Sequence, residues 1–113
     1  MKKNKYKNKE HLIWVKQKTC LLDNKDCKGL VEAHHLLKPF DGTRGMGMKA
    51  NDRNVIPLCN NHHTLLHTKH GTEANLFKTY GLHKATGMIS AEQFWNKSPH
   101  NPKNEDYLDD LPF

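Results

Sequence analysis

The strongest constraint on the fold of this chain is a group of histidines and cysteines concentrated between residues 31 and 70. The first pair, His34 and His35, lies in an apolar-flanked run from Leu30 to Leu37 that alternates as a β-strand does. Successive side chains of a strand point to opposite faces, so the two adjacent imidazoles should serve different neighbours. Such a stretch predicts a functional site rather than a plain packed core.

A second strand and a helix are predicted downstream. The β-branched run NVIPL leads to Cys59, and the following NNHHTLLHTKH has helix-forming character with Gly71 as its stop. His63 and His67 are four residues apart, which places them on one helix face where they can share a cation. His62 is rotated by roughly 100° from His63 and should face a different neighbour. The predicted order is therefore strand, loop, strand, helix.

Three further helical segments are predicted around this stretch. They are Glu10 to Gln17, Thr72 to Tyr80 with Thr72 as its cap, and AEQFWNK after a Ser90 cap. Their aromatic residues, Trp14 among them, are interpreted as core because aromatics beside aliphatic residues are usually buried.

The chain is small for a protein that must bury a stable core. It has 113 residues, of which 35% are hydrophobic, so a stabilising metal is expected. The ligand types of a structural zinc site occur in one set, which is Cys20, Cys27, Cys59 and His62. Four protein ligands would leave no position open for a substrate, so this zinc would be structural. Free buried cysteines are the alternative.

The charge balance favours a polyanionic partner. Eighteen basic and twelve acidic residues give a net charge of +6, and residues 101–113 are acidic, so the remaining chain carries +9. A body this basic suits DNA or RNA, although basic charge can also serve solubility alone. The glycine-rich stretch 38–53 contributes Arg44, Lys49 and Arg53, which could follow a phosphate backbone.

Cysteine usage and hydropathy bear on the compartment. Three cysteines are an odd number, which argues against a closed disulfide framework, and no secretory segment precedes them. The longest apolar runs are far shorter than a membrane span. We therefore expect a protein of the reducing cytoplasm without a membrane partner.

The histidine spacing resembles that of the HNH nucleases, which carry a ββα-metal motif. The pattern H-H-x18-N-x8-H-x3-H, similar to that of the nuclease colicins, is formed by His34, His35, Asn54, His63 and His67. The first loop is longer in this chain than in the colicins.

A second resemblance is to small phage HNH proteins and recombination-enhancement nucleases. It rests on Gly45-Met46-Gly47 and on the L-C-x-x-H-H-x-x-L-H helix from Leu58 to His67. The implied fold class is α+β: a small zinc-stabilised ββα-metal (HNH, His-Me finger) domain with flanking helices. This domain would span residues 10–97, after a basic disordered arm at 1–9 and before a linker and acidic tail at 98–113.

The HNH resemblance also implies roles for individual residues. His35 would be the general base, and Asn54 would position His35 or the loop that carries it. Glu32, on the same strand face as His34, would orient His34 or an arginine. One divalent catalytic metal, which could be Mg, Mn, Zn or Ni, would be held by His34, His63 and His67.

The implied function is a metal-dependent HNH endonuclease that hydrolyses DNA phosphodiester bonds in phage recombination, replication or repair. It would act in the host-cell cytoplasm if the chain is phage-encoded, and its DNA could be single-stranded or branched. One ββα module engages one phosphodiester, so a monomer should nick. The alternative is a non-catalytic, zinc-stabilised nucleic-acid-binding protein.

The last residues resemble the acidic tip of bacterial single-stranded-DNA-binding proteins. That tip recruits replication and repair enzymes, and its counterpart here is Asp109, Asp110, Leu111, Pro112 and Phe113. A terminal phenylalanine can fill an apolar pocket while its α-carboxylate meets an arginine. Host proteins that recognise this tip are therefore possible partners. A solvated acidic tail, or one folded back on the basic body, is the alternative.

Overall fold

The computed structural model describes residues 6–41 and 49–104 as a small α+β structure. Its elements in order are α1 (Lys9–Lys16), β1 (Val31–His35), β2 (Val55–Cys59), α2 (Asn60–Leu65), a π-helical turn (Leu66–His70), α3 (Glu73–Thr79) and α4 (Thr86–Lys97). The predicted order of strand, loop, strand and helix is confirmed. Among the described residues, no helix is both long and apolar enough to cross a bilayer.

The two strands form an antiparallel pair. Val31 lies opposite Cys59 and His35 lies opposite Val55, so β1 is shorter than the run predicted from Leu30 to Leu37. Leu30 is 86% exposed, because it lies outside the paired segment. The register brings the start of β1 beside the point where β2 ends and α2 begins.

The helix after β2 changes its winding before it stops. The N–H of Gly71 donates to the carbonyl of Leu66 at 2.6 Å, which is the five-residue spacing of a π-helical turn. Gly71 has a φ of 80°, a left-handed conformation that glycine adopts without the cost of a Cβ. The predicted stop at Gly71 is confirmed.

The start of α4 differs from the prediction. Ser90 was expected to cap this helix, but the helix begins at Thr86 and Ser90 lies inside it. The reason is tertiary packing at Gly87, where an added Cβ would lie 3.2 Å from Phe77 and 3.4 Å from Leu36. Close approach of the first turn to the core outweighs the low helix propensity of glycine.

Helices cover the strand pair and enclose one core. Both strands contact α1 and α2, and β2 also contacts α4. Every residue of β2 is buried. The main core cluster includes Leu36, Ile56, Leu58, Leu66, Leu76, Phe77 and Ala91. Because the strands are held between helices, the side chains of β1 have fixed directions.

The chain segments on either side of the predicted domain also belong to the fold. The side chain of Asn8 caps α1, and Tyr6 packs edge-on against Trp95. Ser98 is completely buried, and its hydroxyl lies 2.9 Å from Nδ1 of His11. Tyr6, Asn8 and Ser98 therefore contact the packed structure.

Candidate metal centres

Three cysteines and one histidine converge at the junction between β2 and α2. Nδ1 of His62 lies 3.1 Å from the sulfur of Cys59, 3.5 Å from that of Cys27 and 3.7 Å from that of Cys20. Tetrahedral zinc with ordinary Zn–S and Zn–N bond lengths places its sulfur and nitrogen ligands about 3.6 Å apart. The observed distances fit that geometry, so this Cys3His cluster could hold an ion such as zinc.

Local structure explains how the cluster is assembled. Cys59 is the N-cap of α2, and its sulfur accepts a hydrogen bond from the backbone N–H of His62. All three cysteines are free thiols, so no disulfide competes for the sulfurs. The ring of His62 stacks edge-on against Tyr80, with a centroid separation of 5.2 Å. The cluster therefore ties the N-terminus of α2 to the loop before β1.

In the absence of a cation, the pKa values of Cys27 and Cys59 shift in opposite directions. Burial raises the pKa of the Cys27 thiol to about 11, so this group keeps its proton at neutral pH. Burial also acts against ionisation of Cys59, but hydrogen bonds from the backbone N–H groups of His62 and Lys28 lower its pKa. A cation is the group that would allow these neighbouring sulfurs to be negative together.

A second cluster consists of three imidazoles from β1 and the helical segment after β2. The ring centroid of His34 lies 5.0 Å from that of His63 and 5.7 Å from that of His67, and the latter two are 5.1 Å apart. One nitrogen from each ring falls within 4.8 Å of the others. His34 is buried, His63 is partly buried and His67 is exposed. The spacing of this histidine triad could accommodate one cation with an open side.

Glu73 holds His34 in position and was not predicted as a site residue. Its carboxylate accepts a hydrogen bond from Nε2 of His34 at 2.9 Å and from the backbone N–H groups of Leu37 and Lys38. Burial lowers the pKa of His34 despite this contact, so the imidazole is neutral. Burial opposes ionisation of Glu73, but the hydrogen bonds from His34 and Leu37 lower its pKa. A neutral imidazole that donates from Nε2 leaves Nδ1 for an ion.

Glu32 contacts a different histidine from the one expected. Its carboxylate accepts a hydrogen bond from Nδ1 of His63 at 3.2 Å, and this contact lowers the pKa of Glu32. It also accepts one from the side chain of Asn60. The predicted contact with His34 is therefore corrected, because Glu73 occupies that position. Glu32 still orients a member of the histidine triad.

His35 lies on the opposite face of β1 and pairs with a carboxylate. Its Nε2 lies 2.8 Å from Oδ1 of Asp52, whose other oxygen accepts the backbone N–H of Asn8 at 2.8 Å. The side chain of His35 is 18% exposed. With Nε2 used by Asp52, Nδ1 is the nitrogen that could accept a proton. Asp52 was not predicted, since no periodic pattern marks a residue in this loop.

Asn54 is fully buried and organises the connection between the strands. Its Oδ1 accepts the backbone N–H of Phe40 at 2.7 Å, and its Nδ2 donates to Asp41 at 2.7 Å and to Asn51 at 3.0 Å. These bonds join the two ends of the loop between the strands, whereas His35 lies on β1 outside that loop. Asn54 makes no side-chain hydrogen bond to His35 among the described contacts.

Of the three basic residues predicted to contact phosphate, Lys49 lies beside the histidine triad and Arg53 does not. Lys49 lines a cavity of about 140 Å³ that also has all three triad histidines and His35 in its wall. Arg53 forms an ion pair with Asp41 at 2.8 Å and stacks on Tyr6, so its charge is compensated within the chain. Arg44 and the Gly45-Met46-Gly47 loop lie outside the described residues, as do the five residues of the predicted partner tail.

Comparisons with known proteins give one family match and one similar protein. A family described as "Protein of unknown function (DUF968)" matches residues 1–88. "Uncharacterized protein YdfU" of Escherichia coli (strain K12) is 34% identical over 99 residues, which cover 79% of this chain and 26% of that protein. The chain thus spans about a quarter of the length of this relative.

No solved structure matches the chain. The matched region nevertheless contains every member of the Cys3His cluster and of the histidine triad. Because the match covers most of its length, this chain belongs to the family described as "Protein of unknown function (DUF968)".

Proposed function

We propose that this chain is a metal-dependent endonuclease of the HNH type that hydrolyses phosphodiester bonds in DNA. The observation that carries the proposal is the convergence of His34, His63 and His67 within 4.8 Å, beside a cavity that His35 and Lys49 also line. A site that only stores a metal or stabilises the fold does not require His35 and Lys49 beside its three ligands. The strand, strand and helix that supply these residues agree with a ββα-metal arrangement.

The ligand set supports a single exchangeable divalent ion. Two of the three imidazoles are oriented by carboxylates, His34 by Glu73 and His63 by Glu32. Such outer carboxylates fix the ring and raise its basicity as a ligand. When bound, a divalent ion supplies positive charge that stabilises the transition state at phosphorus and the leaving oxygen. Exposure of His67 leaves the open side accessible to a phosphate.

The chain itself supplies the base. His35 donates its Nε2 proton to Asp52, so Nδ1 can remove a proton from a water that attacks phosphorus. Asp52 then stabilises the imidazolium that forms. As the new P–O bond forms, the bond to the 3′ oxygen breaks, and that oxygen takes a proton from solvent. Asn54 keeps Asp52 in reach by fixing the loop that carries it.

The Cys3His cluster supports a second, structural ion. It is buried at three of its four residues and has no position left for a substrate. We therefore propose zinc at this cluster. Free thiols in such a cluster suit a reducing compartment, and we propose the cytoplasm, of the host if the chain is phage-encoded.

A nucleic-acid-binding protein without catalysis is the second candidate. The observation that favours it is the Cys3His cluster. A structural zinc and a basic surface are sufficient for binding nucleic acid, and neither needs a hydrolytic site. Supercoiled plasmid separates the two candidates, because a binder shifts DNA in a gel without nicking it.

The decisive experiment measures nicking of supercoiled DNA in a titration of divalent metals, with wild type, His35→Ala and His70→Ala. His35→Ala should lose cleavage but keep metal and DNA binding, because it removes the base and no ligand. His70 lies three residues after His67 in the π-helical turn, but its ring contacts Thr79 and not the triad. The His70→Ala variant should therefore cut as wild type does. Cleavage by His35→Ala at the wild-type rate would refute the assignment.

A further inference from the structure

A groove of about 610 Å³ lies beside the histidine triad. Its wall includes Leu37, Lys38, Glu73, Lys84, Ala85 and Met88. Its volume is within the range of about 300–1,000 Å³ that is usual for ligand sites. It is distinct from the cavity that the triad lines.

The groove adjoins the candidate catalytic site. Leu37 lines both the groove and the triad cavity. Glu73 lines the groove and also hydrogen-bonds His34. A strand whose phosphate sits at the triad would therefore have its next nucleotide at this groove.

The charges at the groove favour an anion. Lys38 and Lys84 come from two separate segments, both are exposed, and neither is in any of the ion pairs found among the described residues. The single carboxylate in the wall, that of Glu73, is occupied by His34 and by the N–H groups of Leu37 and Lys38. Two lysines without an ion pair in the described part of the chain thus line a recess whose acidic group is already hydrogen-bonded.

Part of the remaining wall is apolar. Leu37, Ala85 and Met88 offer carbon surface that could cover one face of a flat aromatic ring. A base in a duplex has both faces covered by its neighbours, whereas an unpaired base can leave the stack and enter a recess. The ligand that combines a flat apolar ring with adjacent negative charge is a nucleotide.

We propose that the groove binds one unpaired nucleotide of the substrate strand next to the scissile phosphate. Lys38 and Lys84 contact its phosphates, and its base lies against Ala85 and Met88. This inference rests on the proposed nuclease function and narrows its substrate to strands with unpaired nucleotides near the cut. Duplex DNA without such nucleotides would use the triad without the groove.

The test is equilibrium binding of labelled single-stranded oligonucleotides, as DNA and as RNA, and of the matching duplex, by fluorescence anisotropy. The groove variant is Lys38→Ala with Lys84→Ala. Its matched control is Lys78→Ala with Lys97→Ala, which removes the same charge from two exposed lysines outside the groove. Ala85→Phe fills the apolar part without changing the charge, and thermal melting of each variant reports its folding.

We expect the groove variant to lose on the order of tenfold more single-strand affinity than the control, with a salt-dependence slope smaller by about 1.4 for two lost phosphate contacts. Folded Ala85→Phe should weaken single-strand binding and leave duplex binding unchanged. Equal losses in the groove and control variants, or wild-type binding by Ala85→Phe, would overturn the inference.

The two proposals can fail separately. If wild type binds oligonucleotides through the groove but cuts no DNA with any metal, the nuclease proposal fails and the nucleotide site stands. If wild type cuts DNA and the groove variants bind and cut single strands normally, only the nucleotide site fails.

Discussion

Burial of His11 predicts a specific loss of stability in acid. The ring stacks on Trp14 and packs edge-on against Trp95, and Nδ1 contacts the hydroxyl of Ser98. That hydroxyl also accepts the N–H of His100. Nε2 has no hydrogen-bond partner among the described residues. A second proton on this ring would be a buried charge.

Burial, with a smaller effect from nearby His100 and an opposing one from Asp52, lowers the pKa of His11 from 6.5 to about 4. Between these values the unfolded chain binds more protons than the folded chain, so stability falls as the pH falls. The loss begins near the unfolded pKa of 6.5 and is complete below the folded pKa. At about 1.4 kcal/mol per pKa unit, the free energy of unfolding should drop by about 2.5 kcal/mol between about pH 7.5 and about pH 4.5.

The measurement is urea unfolding of wild type, His11→Phe and His11→Gln across that pH range. Phenylalanine keeps the ring packing and glutamine keeps a polar group. The free energies of unfolding of the two variants should therefore differ by the same amount at every pH. Both should lose the same pH-dependent part relative to wild type, since neither titrates. Effects common to all three proteins, such as acid release of a metal, cancel in the difference. The difference in free energy of unfolding between wild type and each variant should change across this pH range. A change of less than about 0.5 kcal/mol would show that His11 is not a buried neutral base.

Three other predictions concern the two clusters and the tail. Glu73→Gln should weaken binding of the divalent ion at the histidine triad by about 10- to 100-fold, because His34 loses its orienting charge; unchanged affinity in calorimetry would contradict this. Cys20→Ser should remove one tightly held zinc per chain in elemental analysis and lower the melting temperature, whereas an unchanged metal content would exclude the structural zinc. Deleting Leu111–Phe113 should abolish binding to enzymes that recognise the tip of single-stranded-DNA-binding proteins without altering cleavage, and faster cleavage would instead indicate autoinhibition.

The sequence predicted the parts of the structure that local pattern controls. The alternation around His34 and the spacing of His63 and His67 identified the strand and helix that carry them. Gly71 ended the helical segment as expected, because a left-handed residue is a strictly local requirement. Position along a helix determines the face on which a side chain lies, so spacing paired His63 with His67, and ligand type grouped the Cys3His residues. His34 was added to the triad only through the HNH resemblance.

The partners of those residues depend on tertiary packing and were not predicted. Glu73 directly follows the predicted cap Thr72 and shares a helix face with the buried Leu76 and Phe77. That position on an apolar face was the available signal, since a carboxylate there must find a hydrogen-bond donor. Asp52 lies in a loop without periodicity and offered no comparable signal. Ser90 was given a capping role because packing at Gly87 cannot be read from propensity.

The Cys3His cluster and the histidine triad are not independent, because α2 supplies a residue to each. His62 and His63 are adjacent but belong to different clusters, since successive helical side chains point about 100° apart. A six-residue helix is too short to be stable by itself. The contact of His62 with the three sulfurs fixes the rotation of α2 about its axis, and this rotation determines where His63 points. An ion bound at the Cys3His cluster would therefore preorganise the triad. We predict that a chain without that ion binds a divalent metal at the triad more weakly, even at temperatures where the chain stays folded.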